Sequence, residues 1–161
     1  MTTSTSTGTT MQRQRFIGMS TGTFETVAER GRLRFFAEVI GDADPIRTDL
    51  AAARAAGYDD LPVPPTFLMG LDAERPDGFG YLTEMGVDLR HVLHGTQAFD
   101  YHRVAVANEP LTYRSRIDDV FEKSGGALQF IVRTVEVRDA ADAPVADLRS
   151  TIIERRPRSA A

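Results

Sequence analysis

The sequence predicts an α+β fold in which a long, curved antiparallel sheet encloses one central apolar helix. Three observations carry that reading. Helical spacing dominates the first half of the chain. Strand-period segments separated by turn residues fill the second half, from Leu89 to Arg155. Between the two, Phe67-Leu68-Met69-Gly70-Leu71 is apolar all round, and a helix without a polar face needs wrapping on most sides.

Taken in order, residues 1–14 begin with a run made almost wholly of Thr and Ser. That run is too polar to offset the entropy of ordering it, so a disordered leader is expected. Gly22 to Val27 suits a short strand. Gly31 to Ile40 places Leu33, Phe35, Phe36, Val39 and Ile40 at helical spacing, and Gly41 stops the helix. Asp49 to Ala56 reads as an alanine-rich helix ended by Gly57. Pro64 and Pro65 fix the start of the apolar helix, and Pro76 breaks it. Four strands are expected over Leu89–Arg103, Leu111–Phe121, Ala127–Arg138 and Val145–Arg155. Turns at Asn108-Glu109-Pro110, Ser124-Gly125-Gly126 and Ala141-Asp142-Ala143-Pro144 separate the last three from what precedes them. A single domain over 15–156 and a loose tail over 157–161 complete the organisation. An open sheet of this kind leaves an edge strand, and pairing edges across a twofold axis is the usual remedy, so a dimer is expected.

Composition removes several function classes. The 161 residues include no cysteine, which excludes disulfides, a thiolate nucleophile and cysteine-ligated metal. A net charge of -4, with acids and bases interspersed, gives no footprint for nucleic acid. No apolar run approaches the length of a spanning helix, and no signal-peptide layout opens the chain, so no membrane partner is expected and the cytoplasm is. The single lysine among 19 basic residues carries no mechanistic meaning.

Three segments carry a family resemblance. Gly41-Asp42-Ala43-Asp44-Pro45-Ile46-Arg47-Thr48-Asp49 resembles the pattern G-D-x-N-P-[LIV]-H-x-D. Leu61-Pro62-Val63-Pro64-Pro65-Thr66-Phe67 looks like a proline-rich start to a central helix. Leu93-His94-Gly95-Thr96-Gln97-Ala98-Phe99-Asp100-Tyr101-His102-Arg103 is similar to the strand H-G-x-Q-x-F-x-Y-x-R. In this order they resemble the MaoC-like dehydratases and R-specific enoyl-thioester hydratases, in the MaoC N-terminal-like, FAS1-like dehydratase branch. The resemblance implies a hot-dog fold and a hydro-lyase of fatty acid or polyketide metabolism without metal or cofactor. Its substrate would be an acyl thioester of coenzyme A or acyl carrier protein. It further implies a homodimer, or a heterodimer with a second hot-dog subunit. The branch includes substrate-binding subunits of heteromeric (3R)-hydroxyacyl-thioester dehydratases, in which the second chain supplies the catalytic residues.

Dehydration of a 3-hydroxyacyl thioester needs a base for the proton beside the carbonyl and an acid for the departing hydroxyl. It also needs donors for the enolate oxygen. In the family an Asp and a His five residues later share the proton work; Asp42 takes the Asp position, but position 47 is Arg. Arg remains protonated and cannot accept a proton. Arg47 suits a phosphate or carboxylate instead, or structural pairing with Asp49 or Asp44. Asp42 also suits a plain turn role between Gly41 and Pro45. The backbone N–H groups of Thr66, Phe67 and Leu68, the first after Pro64 and Pro65, could face a thioester oxygen; a simple helix start is the alternative.

His94, at a strand start beside Gly95, is the preferred substitute for the absent histidine. A regular strand would put His102 roughly 26 Å away, so one site cannot use both; His91 and His102 are weaker candidates. Gln97, Phe99 and Tyr101 share the opposite face, toward the central helix, where Gln97 meets either the thioester or a backbone carbonyl. The expected site therefore comprises Asp42 and His94 as catalytic residues, with Arg47, Pro65, Thr66, Phe67, Gly95 and Gln97 binding substrate. Two further readings stand beside the subunit: a self-sufficient homodimer using Asp42 and His94, and a non-catalytic carrier of acyl thioesters or small ligands.

Overall fold

A computed structural model describes residues 12–156; residues 1–11 of the expected 1–14 leader, and the tail over 157–161, lie outside the described residues. Five antiparallel strands form one sheet: β1 (Ser20–Val27), β2 (Val92–Tyr101), β3 (Pro110–Lys123), β4 (Leu128–Arg138) and β5 (Pro144–Arg155). Their spatial order is β1-β3-β4-β5-β2. Residues 108, 124 and 142, in the turns expected between strands, have positive φ at Asn108, Ser124 and Asp142, which lets the chain reverse tightly. Register shifts at Gly22, between His94 and Thr96, and between Ile117 and Asp119 bend the sheet around one face.

Four short α-helices lie between β1 and β2: α1 (Arg30–Ile40), α2 (Leu50–Ala55), α3 (Phe67–Asp72) and α4 (Gly80–Glu84). Helix α3 is the expected central helix. It buries Phe67, Leu68 and Leu71 against the concave face of the sheet, with Tyr113, Val135 and Leu148 in the same core. The Tyr113 hydroxyl, itself buried, donates to the Leu68 carbonyl at 3.2 Å.

Two expectations are corrected. The central helix ends at Asp72 rather than continuing to Pro76, and within its wrapping by the sheet one face stays open. Met69, Gly70 and Ala73 line an open face. Helix α1 buries Leu33 and Ala37 and half-buries Phe36, whereas Phe35 and Val39 face outward, 68% and 65% exposed. The inward stripe is therefore 33, 36 and 37, and 35 and 39 form a second stripe on solvent. Near the start of the described residues, Arg13 is buried, donating to the Met85 carbonyl at 2.8 Å and reaching Gly86, Gln129 and Glu154.

Candidate functional site

The loop bearing Asp42 is built by the end of α1. Gly41 takes the left-handed conformation, φ 73°, and the Asp42 N–H returns to the Ala37 carbonyl at 2.9 Å, a helix ending that glycine permits at little cost. One Asp42 oxygen accepts the Asp44 N–H at 3.2 Å and the other accepts Arg47 Nε at 3.0 Å. Arg47 Nη1 also donates to the Pro62 carbonyl at 3.1 Å. The expected pairing of Arg47 with Asp44 or Asp49 is not what forms. Each of those carboxylates caps a helical turn, Asp44 accepting the Ile46 N–H at 3.1 Å and Asp49 the Ala51 N–H at 2.8 Å. Arg47 thus ties the Asp42 loop to the proline segment leading into α3.

That segment is fixed from both sides. Val63 N–H donates to the Ala105 carbonyl at 2.8 Å, and the Tyr101 hydroxyl at the end of β2 donates to the Pro65 carbonyl. Burial pushes the Tyr101 hydroxyl up to about 12, so it stays a donor at neutral pH. The expected set of free N–H groups at the helix start is not intact, because the Phe67 N–H is taken by the Pro64 carbonyl at 3.0 Å. Phe67 itself is core, edge-on to Phe36 with ring centroids 5.2 Å apart. Pro65 and Thr66 are exposed beside it.

A cavity of about 300 Å³ opens along the C-terminal half of α3, between that helix, residues 75–82 and strands β2, β4 and β5. Met69, Phe79, Leu82, Leu93 and Ile152 give it an apolar wall, and His94 and Gln97 border it together. Regular alternation would place those two on opposite faces of β2. The irregularity at Gly95 resets the alternation, since His94 pairs with Ile152 and Thr96 with the adjacent Thr151. A Cβ on Gly95 would lie 2.7 Å from Ile153 Cδ1 and 3.0 Å from the Thr151 carbonyl oxygen, so any larger residue must displace the Ile153 side chain and press on the neighbouring backbone. The His94 side chain makes no hydrogen bond among the described residues. Gln97 Nε2 donates to the Ala98 carbonyl at 3.2 Å. Of the other histidines, His102 meets Asp147 at 2.9 Å and His91 meets Asp88 at 3.3 Å.

The structure therefore makes two groupings from the expected residues. Asp42 and Arg47 are joined to each other and, through the Pro62 carbonyl, to the segment that leads into α3 past Pro65 and Thr66; His94 and Gln97 line the cavity, which Asp42 does not, and Gly95 lies between them on β2. The sequence reading missed the polar wall of the cavity. There Arg133 donates to both Asp72 oxygens, at 2.6 and 2.9 Å, and to Thr21 Oγ1 at 3.1 Å. Arg75 donates to Asp77 at 2.6 Å. The buried Tyr81 ring meets both guanidinium groups, its centroid 5.0 Å from Arg75 Cζ and 5.4 Å from Arg133 Cζ. Burial raises the Tyr81 hydroxyl against the pull of Arg133 and Arg75. One signal was available: Arg133 directly follows the apolar run Phe130-Ile131-Val132 inside the same strand, and a charge buried there needs a partner.

Comparison with known proteins places this geometry. The sequence pattern of the FAS1-like, dehydratase domain region matches residues 15–148. A UPF0336 protein of Saccharopolyspora erythraea is 34% identical over 126 residues, covering 78% of this chain and 80% of that protein. UPF0336 protein Franean1_6066 of Parafrankia sp. is 34% identical over 146 residues, covering 88% and 93%. Among solved structures, the C-terminally truncated HadBC (3R-hydroxyacyl-ACP dehydratase) complex of Mycobacterium tuberculosis superposes with a TM-score of 0.74 at 23% identity, covering 86% of this chain and 96% of that one. The ChsH1-ChsH2 complex of the same organism gives 0.71 at 24%, covering 96% and 93%. R-hydratase PhaJ1 of Pseudomonas aeruginosa gives 0.64 at 14%, covering 88% and 83%. These structural likenesses establish the hot-dog fold.

Proposed function

The chain belongs to the FAS1-like dehydratase-domain family, and on that premise we propose that it is a subunit of a (3R)-hydroxyacyl-thioester dehydratase or R-specific enoyl-thioester hydratase. One observation carries the reading: at the position where the family pattern has its proton-transferring His, Arg47 stands and is held on Asp42 at 3.0 Å. A permanently protonated guanidinium does not cycle a proton, so a second hot-dog chain brings the Asp/His pair. Elimination then takes the proton beside the carbonyl to the base, while the acid protonates the 3-hydroxyl, which leaves as water. This chain contributes the acyl cavity, with Gly95 and Gln97 on its β2 side. Asp42, Arg47, Pro65, Thr66 and Phe67 shape the end of α3 nearest the thioester. The association surface in this reading is β2, a sheet edge with Leu93 and Tyr101 half exposed.

The freedom of His94 favours a second reading, a self-sufficient homodimer in which His94 and Asp42 divide the proton transfers. Crotonyl-thioester hydration separates the two. The purified chain is expected to bind the thioester without turning it over, and to gain activity when co-purified with a His-containing hot-dog partner. Turnover by the chain alone, abolished by Asp42→Ala and by His94→Ala, would overturn the subunit reading in favour of the homodimer. Binding without turnover in any pairing would leave an acyl-thioester carrier, and release of free thiol would mark a thioesterase.

A further inference from the structure

The cavity is apolar along most of its wall, yet two arginines are buried in it. Arg133 has every nitrogen engaged, on Asp72 and Thr21. Arg75 does not. Its side chain is 4% exposed, Nε and Nη2 go to Asp77, and Nη1 is the one buried side-chain nitrogen or oxygen without a hydrogen-bond partner among the described residues. The Tyr81 ring lies under the same guanidinium, 5.0 Å from centroid to Cζ, and its hydroxyl at the rim of that ring makes no hydrogen bond among the described residues. Leaving a charged donor buried and unsatisfied costs on the order of 1–3 kcal/mol or more. The fold nevertheless makes room for it: Gly22, φ 115°, stands where a Cβ would come within 2.9 Å of Arg75 Nη2.

Two donors lack an acceptor here, while the charges already balance, Arg75 against Asp77 and Arg133 against Asp72. The complement to such a place is an uncharged oxygen. We propose that the cavity selects acyl chains carrying a keto or hydroxyl oxygen remote from the thioester, received by Arg75 Nη1 and the Tyr81 hydroxyl. The apolar wall from Met69 to Ile152 holds the intervening methylenes. This assignment rests on the acyl-thioester reading above and adds the substrate class to it.

The test is equilibrium binding by the full chain, paired with its hot-dog partner where one is needed for folding. The ligands are octanoyl-coenzyme A and octanoyl esters with an oxo, hydroxyl or carboxylate group at successive positions along the chain. One uncharged oxygenated ester is expected to bind roughly ten- to a hundredfold tighter than octanoyl-coenzyme A, the range of a hydrogen bond to a charged donor. Tyr81→Phe, which keeps the ring, is expected to lose part of that preference, and Arg75→Met all of it, each read as the ratio of oxygenated to plain octanoyl affinity. Thermal melts check that both variants are folded. Equal affinity for plain and oxygenated esters, a preference that survives both substitutions, or a carboxylate preferred over every neutral group would overturn the inference alone. Failure of every ester to bind would overturn the acyl-thioester reading as well.

Discussion

Asp60 grips Arg30 through both carboxylate oxygens, at 2.8 and 3.1 Å from Nε and 2.6 Å from Nη2, pinning the first turn of α1 to the segment that leads into α3. The hydrogen bond from Arg30 draws the Asp60 carboxyl down to about 2, against the opposing effect of burial. A depressed folded-state value stabilises the native state above the unfolded aspartate value of about 3.9, and that contribution fades as pH falls toward 2. Urea midpoints measured between pH 5 and pH 2 should therefore fall less steeply for Asp60→Asn than for the parent; equal slopes would show that the pair contributes nothing to acid sensitivity. At this scale the sequence was partly readable. The replacement of His by Arg at position 47 was visible in one letter. Its partner was not, because Asp42, Asp44 and Asp49 are all near in sequence. The choice fell to local N–H groups, Ile46 and Ala51 claiming two of the three acids.

Among the elements, β2 shows what a single glycine does. Its bulge turns Gln97 onto the side of His94, and any side chain at the close crossing must displace Ile153. Gly95→Ala should destabilise the fold by about 1–3 kcal/mol through overpacking. Gly31→Ala, in α1 with open space around it, should instead stabilise by roughly 0.5–1 kcal/mol. Denaturant midpoints of the two variants moving the same way would refute this reading of the bulge. The strand segments and their turns were legible because Asn108, Ser124-Gly125 and Asp142 permit positive φ. Helix α4 was not: five residues between Gly78 and Gly86 are too few for a helical period to declare itself. Helix α1 was legible as a helix but not in its facing, since two apolar stripes interleave and only packing decides between them.

For the whole molecule, the strand order β1-β3-β4-β5-β2 separates what is near in sequence from what is near in space. Strands β3, β4 and β5 form a meander joined by short turns, whereas β1, from the start of the described chain, and β2, which precedes the meander, join it on opposite margins. Contacts between sequence-distant segments require large loops to close first, which slows their formation. The meander should accordingly assemble first, acquiring amide protection in pulse-labelled hydrogen exchange before β1 and β2 do; simultaneous protection of all five strands would exclude that order. The bond from Arg13 to Glu154, which spans nearly the described chain, then acts as a late clasp. Until it closes, the newly formed meander presents two unpaired margins at once, and a nascent chain is most vulnerable to self-association in that interval.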